Sequence, residues 1–168
     1  ASAWDWKTAV LDQSPDDPAA RLAHKFVQGD FTKYEDVLNF GKQVDVLTIE
    51  IEKVNLEALI ELEKMGKIVH PSPRGLAIIK DKALQKQFFI DQGLPTVPQE
   101  LFDSKADVLK AIESGFLQIP FVQKLRTDGY DGRGVAIIRT EEDLNLLLDG
   151  LCLVEPLVEI EAEVAVIA

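Results

Sequence analysis

Gln123-Lys-Leu-Arg-Thr-Asp-Gly-Tyr-Asp-Gly-Arg-Gly-Val135 sits between two apolar, strand-like runs, residues 118–123 and 135–139. The intervening stretch is too long for a tight hairpin turn. Gly129, Gly132 and Gly134 give a main chain that can take positive φ and approach a ligand closely. Lys124, Arg126 and Arg133 place cations on the same segment, with Asp128 and Asp131 beside them. Freed amides next to fixed cations suit a flap over phosphates, because successive N–H groups form an anion-binding concavity. A plain hairpin loop with surface charges is the competing reading, since glycine spacing alone is a weak signal.

Around this loop the second half of the chain reads as a small α+β layer. Residues 75–92 form one long helix with Leu76, Ile79, Leu84 and Phe88 inward, stopped by Gly93 and Pro95. Its basic residues Lys80, Lys82 and Lys86 read as a solvated face. Ser104-x-x-Asp107 opens a helix that buries Ala106, Leu109 and Ile112 and ends at Gly115. Beyond the loop, Thr140-x-x-Asp143 caps a helix carrying Leu144, Leu147 and Leu148. Strands are expected over 151–154 and 160–167.

The first half alternates strand and helix patterns, which argues for an open α/β sheet with right-handed crossovers. Strands are expected at 7–12, 25–28, 44–49 and 67–70, with a short helical or irregular piece at 18–24. Thr32-x-x-Glu35 has capping-box spacing and opens a helix to Lys42, with Gly41 as its stop. The β-branched run 44–49 reads as a strand buried on both faces. Asn55 caps a helix over 56–65 with Leu56, Leu59, Ile60 and Leu62 inward, and Gly66 ends it. Glu50 and Glu52 follow a strand end, where ligands of such folds sit, although solvated loop acids are the commoner outcome. Asp12 ends a strand too, but no Gly-x-Gly-x-x-Gly precedes it, so a nicotinamide site is rejected. His24 and His70 read as structural or surface residues.

Composition closes several doors. A chain of 168 residues suits one domain or two small subdomains. The net charge of −11 argues against nucleic-acid or membrane partners, so any phosphate site must be built from local cations and amides. Cys152 is the only cysteine, which excludes an internal disulfide and a cysteine-based zinc cluster. No run approaches the roughly 20 apolar residues that cross a bilayer, and the N-terminus lacks the features of a signal peptide. The expected location is cytoplasmic. Both ends read as cut: the first strand starts abruptly and the last apolar run stops without a cap.

Thr48-Ile-Glu-Ile-Glu-Lys-Val54, Asp81-Lys-Ala-Leu-Gln-Lys86, Leu94-Pro-Thr96, Lys124 and above all Gly129-Tyr-Asp-Gly-Arg-Gly134 resemble the 5-(carboxyamino)imidazole ribonucleotide synthetases of purine biosynthesis. These belong to the ATP-grasp superfamily. The resemblance runs in register from Val10-Leu-Asp12 to Glu163. It implies an α/β fold: a Rossmann-like pre-ATP-grasp subdomain over 1–74, lacking its first strand, and a linker helix with the small α+β ATP-grasp lobe over 75–168.

The implied reaction is an ATP-dependent carbon–nitrogen ligation. ATP phosphorylates bicarbonate to carboxyphosphate, and the amine of 5-aminoimidazole ribonucleotide captures the carboxyl group. The resemblance assigns Lys82 and Lys124 to ATP, and Gly129–Gly134 to the flap over its phosphates. Val135 borders that flap. Glu155, Pro156, Leu157 and Val158 would form the hinge beside adenine, and Glu163 would meet the ribose. Tyr130, Asp131 and Arg133 would touch the ribonucleotide or carboxyphosphate. Mg²⁺ and a homodimer are implied as well, with the metal ligands expected in a C-terminal lobe beyond this chain. The position of Lys82 is commonly Arg in the family, and Val135 stands where many members carry Gln. With the first strand, its glycine loop and the large lobe absent, these 168 residues alone are expected to be inactive. Another ATP-grasp ligase, such as a formate-dependent ribonucleotide transformylase or a biotin carboxylase, is the alternative, as is a non-catalytic nucleotide-binding module.

Overall fold

The computed structural model describes residues 5–127, 129 and 134–166. The chain divides into two compact units, Ala1–Ala77 and Ile78–Ala168.

The first unit runs β1 (Ala9–Asp12), α1 (Pro18–Leu22), β2 (Lys25–Gln28), α2 (Tyr34–Gly41), β3 (Val46–Thr48), α3 (Leu56–Lys64) and β4 (Ile68–His70). Parallel neighbours need a crossover, and α1 and α3 supply it. β1 pairs parallel with β2 from Ala9 opposite Lys25 to Asp12 opposite Gln28. β3 pairs parallel with β4 from Val46 opposite Ile68 to Thr48 opposite His70. The expected single open sheet is therefore two two-stranded parallel sheets among the described residues. The core gathers Val37, Leu38 and Phe40 of α2, Ala58, Leu59 and Leu62 of α3, Leu47 and Val69.

Three local expectations change. Thr32 does not cap α2: its N–H and hydroxyl donate to Asp30 Oδ1 at 2.9 and 2.6 Å, and the helix starts at Tyr34 without a side-chain cap. A nearby carboxylate competes for the hydroxyl that a cap would use. Gly41 is the last residue of α2 and a packing position, since a Cβ there would lie 2.2 Å from Leu62 Cδ1. β3 is not buried on both faces; only Leu47 is, because a two-stranded sheet has one face on the helices. Asn55 caps α3 as expected, its side chain accepting from Ala58 N at 2.9 Å, and Gly66 ends it at φ 84°. Ala58 takes the inward place given to Ile60, which is exposed.

α4 (Pro73–Lys80) spans the division between the units, and its Leu76 packs into the first core. The second unit continues with α5 (Lys82–Asp91), β5 (Glu100–Phe102), α6 (Lys105–Glu113), β6 (Phe121–Leu125), β7 (Val135–Ile138), a 3-10 turn (Glu141–Leu146) and β8 (Cys152–Pro156). The strands form one antiparallel sheet in the order β5-β8-β6-β7. Val108, Phe121, Ala136, Ile138, Leu147, Cys152 and Val154 fill its core.

The long helix expected over 75–92 is broken at Asp81, whose extended backbone and carboxylate cap α5 by accepting from Ala83 N and Leu84 N. The break re-aims α5, so Leu84 and Phe88 face outward while Ala83 and Lys86 are buried. Ile79 on α4 is likewise exposed. On α6, capped by Ser104, the inward residue is Val108, whereas Ala106 is exposed. β6 begins at Phe121, past Pro120, which has no N–H to give a ladder. β8 extends to Pro156, so Glu155 lies within a strand and not after it. Residues 160–166 form no strand; Ile160, Val164 and Val166 are exposed and pair with nothing in the sheet.

Candidate active site

The seam between α5, β6 and β8 brings together Lys86, Lys124 and Glu155, with Lys82, Asp81 and Arg126 beside them. β6 and β8 are antiparallel with Val122 opposite Glu155 and Lys124 opposite Leu153. The Glu155 carboxylate is buried and takes a lysine on each oxygen. Lys86 Nζ meets Oε1, and Lys124 Nζ meets Oε2 at 2.7 Å. Burial, the largest single influence, pushes the Glu155 carboxyl up, but hydrogen bonds from Lys124 and Lys86 together outweigh it and hold it below its ordinary value. Buried charges persist only when paired in this way.

One turn back along α5, Lys82 Nζ donates to the Gly129 carbonyl at 3.2 Å, and Lys82 N donates to the Arg126 carbonyl at 2.9 Å. Arg126 grips Asp81 with Nε at 3.1 Å and a terminal nitrogen at 2.5 Å. For Asp81, too, burial raises the carboxyl, and the Arg126 bond with the amides of Ala83 and Leu84 brings it below the usual range. The start of α5 is thus tied to the chain just after β6, at the root of the glycine loop. Leu125 N closes the other side of that root on the Gly134 carbonyl at 2.8 Å. Gly134 has φ 79°, and a Cβ there would lie 2.9 Å from Gly129 Cα, so a side chain is excluded twice over.

The structure therefore brings Lys82 to Gly129 and Lys124 to Glu155. Val135 opens β7 opposite Lys124, and Pro156 ends β8 opposite Phe121. Leu157 is half-buried, while Val158 and Glu163 are exposed. Tyr130, Asp131, Gly132 and Arg133 lie outside the described residues. Sequence reasoning missed Lys86, treated there as a solvated lysine. The available signal was its i+4 spacing from Lys82, which places both on one helix face. It also missed Asp81 as an N-cap, although Asp ahead of a helical run is the usual signature.

Gln123, buried on β6, fastens the far side of the sheet. Its Nε2 donates to the Leu148 carbonyl at 2.8 Å, and its Oε1 accepts from Leu148 N at 2.8 Å. Burial pushes the neighbouring Cys152 thiol up, which suits a structural and unreactive residue. In the first unit, a cleft of about 790 Å³ lies at the carboxyl ends of β1 and β3, with Asp12, Thr48 and Glu50 among apolar walls. Glu52 is exposed. His24 Nδ1 accepts from Thr8 N at 3.1 Å, a structural role. Among the described residues no three His, Cys, Asp or Glu side chains converge to hold a metal ion, and no helix is long and apolar enough to cross a membrane.

Residues 1–80 match the ribonucleotide synthetase preATP-grasp domain, and residues 87–168 match the ATP-grasp domain. The crystal structure of N5-carboxyaminoimidazole ribonucleotide synthetase from Thermotoga maritima superposes with a TM-score of 0.81 at 33% identity, over 95% of this chain and 42% of that one. The chain belongs to the ATP-grasp superfamily. This ATP-grasp chain is also 38% identical over 150 residues to the phosphoribosylaminoimidazole carboxylase of Candida glabrata, covering 86% of the chain and 26% of that protein. A synthase structure from Aspergillus clavatus, in complex with ADP and 5-aminoimidazole ribonucleotide, matches with a TM-score of 0.75 at 26% identity, over 91% of this chain and 40% of that one. The ATP-grasp chain thus spans less than half the length of these relatives.

Proposed function

We propose that this chain is the preATP-grasp and nucleotide-binding part of an ATP-dependent ligase that carboxylates 5-aminoimidazole ribonucleotide with bicarbonate. The observation that carries the reading is the α5–β6–β8 seam at the root of a glycine loop, where, among the described residues, Lys82, Lys86, Lys124 and Arg126 surround two directly bonded carboxylates, Asp81 and Glu155. In a chain of net charge −11, such a local surplus of cations suits a triphosphate. Relatives with bound ADP and 5-aminoimidazole ribonucleotide support the choice of ligands.

In this reading a bicarbonate oxygen attacks the γ-phosphorus and ADP leaves. The ribonucleotide amine then attacks the carboxyphosphate carbon, loses a proton and expels phosphate. Lys124 and Lys82 supply positive charge to the phosphates, and the loop amides close over them and exclude water from the acyl phosphate. Asp131, Arg133 and Tyr130 are assigned to the ribonucleotide and carboxyphosphate, Gly132 to the flap, and Glu155 to Val158 with Glu163 to the adenosine. The same reading includes Mg²⁺, a homodimer and a cytoplasmic setting. The described residues offer Mg²⁺ no donor set, and no step above is routed through it.

The test is ADP release by the protein carrying this sequence, with bicarbonate and 5-aminoimidazole ribonucleotide added or withheld. Release that needs the ribonucleotide and yields a carboxylated product supports the ligase. Turnover with a different acceptor keeps the nucleotide site and overturns the substrate. Within the site, Asp131→Asn should spare ATP binding and lower carboxylation, whereas Lys124→Ala should weaken ATP itself. Equal, small effects of both would contradict the assigned roles.

A further inference from the structure

Glu155 has more positive charge around it than its own neutralisation requires. One lysine would suffice for one carboxylate, yet Lys86 from α5 and Lys124 from β6 each hold an oxygen. The two differ in access: the Lys86 side chain is 10% exposed and that of Lys124 is 33% exposed. Among the described residues the Lys86 ammonium bonds only Glu155, and a buried ammonium that left this carboxylate would lose that compensation. The Lys124 side chain is partly open to solvent, so it can exchange Glu155 for an incoming anion at much lower cost.

We propose that Lys86 is a positioning residue, a fixed counter-ion that keeps Glu155 ionised and in place while Lys124 exchanges between Glu155 and a phosphate-bearing ligand. This rests on the nucleotide reading of the same site. When Lys124 turns to phosphate, the Lys86–Glu155 pair remains neutral, so binding needs no proton. Without Lys86, the same movement strands a buried carboxylate. Binding must then either fail or draw a proton onto Glu155. No other titratable group contacts the carboxylate from α5, β6 or β8.

The experiment is calorimetric titration of ADP into the protein carrying this sequence, unsubstituted and as Lys86→Met, Lys86→Arg and Lys124→Met, in two buffers of different ionisation enthalpy. The unsubstituted protein should bind with no proton uptake assigned to Glu155. Lys86→Met should bind about tenfold more weakly at pH 8, take up close to one proton, and recover as pH falls toward 6.5. Lys86→Arg should restore affinity and abolish the uptake. Adding Glu155→Gln to Lys86→Met should remove the pH dependence. Lys124→Met, exposed enough to fold if Lys86→Met does not, should bind weakly without proton uptake. ADP binding by Lys86→Met at unchanged affinity and without uptake overturns the proposal, as does proton uptake by Lys124→Met. No ADP binding by the unsubstituted protein overturns the nucleotide reading itself, which separates the two failures.

Discussion

Arg126 holds both oxygens of Asp81, and one of those oxygens is also the N-terminal cap of α5. A single carboxylate thus fixes where the helix starts and where the glycine loop leaves β6. Asp81→Ala removes the cap and the fork together and should destabilise the protein by about 2–3 kcal/mol. Asp81→Asn keeps an acceptor for Ala83 N but weakens the grip of Arg126, so its loss should fall between that of wild type and Ala. Urea unfolding midpoints at neutral pH check the order, and an Ala variant as stable as wild type would remove the clamp from the account.

Gly41→Ala should be destabilising although alanine is the better helix former. A Cβ at this position meets Leu62 Cδ1 at 2.2 Å and Cδ2 at 2.8 Å, and Leu62 is fully buried with nowhere to retreat. Overpacking of this kind costs about 1–3 kcal/mol, more than the roughly 1 kcal/mol gained in propensity. The sign of the change in thermal midpoint is the readout, and shortening Leu62 to Ala in the same chain should shrink the penalty attributable to residue 41.

Gln123→Leu fits the volume of the core but strands two backbone groups of Leu148. Its amide and carbonyl both bond to the Gln123 side chain at 2.8 Å. Leaving them unsatisfied should cost about 2 kcal/mol or more. Hydrogen exchange at Leu148 N should quicken by more than the global loss of stability accounts for; unchanged protection there would refute the assignment.

Acid should loosen the second unit through Glu155 and Asp81. Both carboxyls are held below their ordinary values of 4.5 and 3.8 in the folded chain. A lowered folded value means that the unfolded chain binds protons more readily, so stability is present above these ordinary values. It is lost as pH falls through them toward the folded ones. Denaturant midpoints measured from pH 6 to pH 3 should therefore fall on the acid side, and Glu155→Gln should flatten the part of the slope nearest pH 4.5. An identical slope in that variant would show the lysine pair to be irrelevant to acid stability.

Local grammar was read directly from the chain wherever the deciding interaction spans a few residues. Asn55 and Ser104 cap their helices, Thr140 and Asp143 form a capping box, and Gly66 and Gly115 end helices at positive φ. Most of the order of strands and helices followed from period and punctuation for the same reason, but β5 was missed, one helix proved to be two, and no strand forms over 160–166. The motif Gly129-Tyr-Asp-Gly-Arg-Gly134 carried the family, because glycines interleaved with charge are legible without knowing what surrounds them.

Tertiary structure alone decided what depends on distant partners. The helix over 75–92 broke at Asp81 because Arg126, 45 residues away, secures that carboxylate, and Ile60, Leu84 and Phe88 turned outward. Lys86 carried only its i+4 spacing from Lys82, which groups the two on one helix face without saying that Lys86 is buried. Its partner Glu155 is 69 residues further on, brought under α5 only when β8 pairs with β6. Sequence determines the propensity of each segment, since that is set by local sterics and hydrogen bonding. Which charge is buried against which is fixed only by the folded sheet, because desolvation and pairing are properties of the packed seam and not of either residue alone.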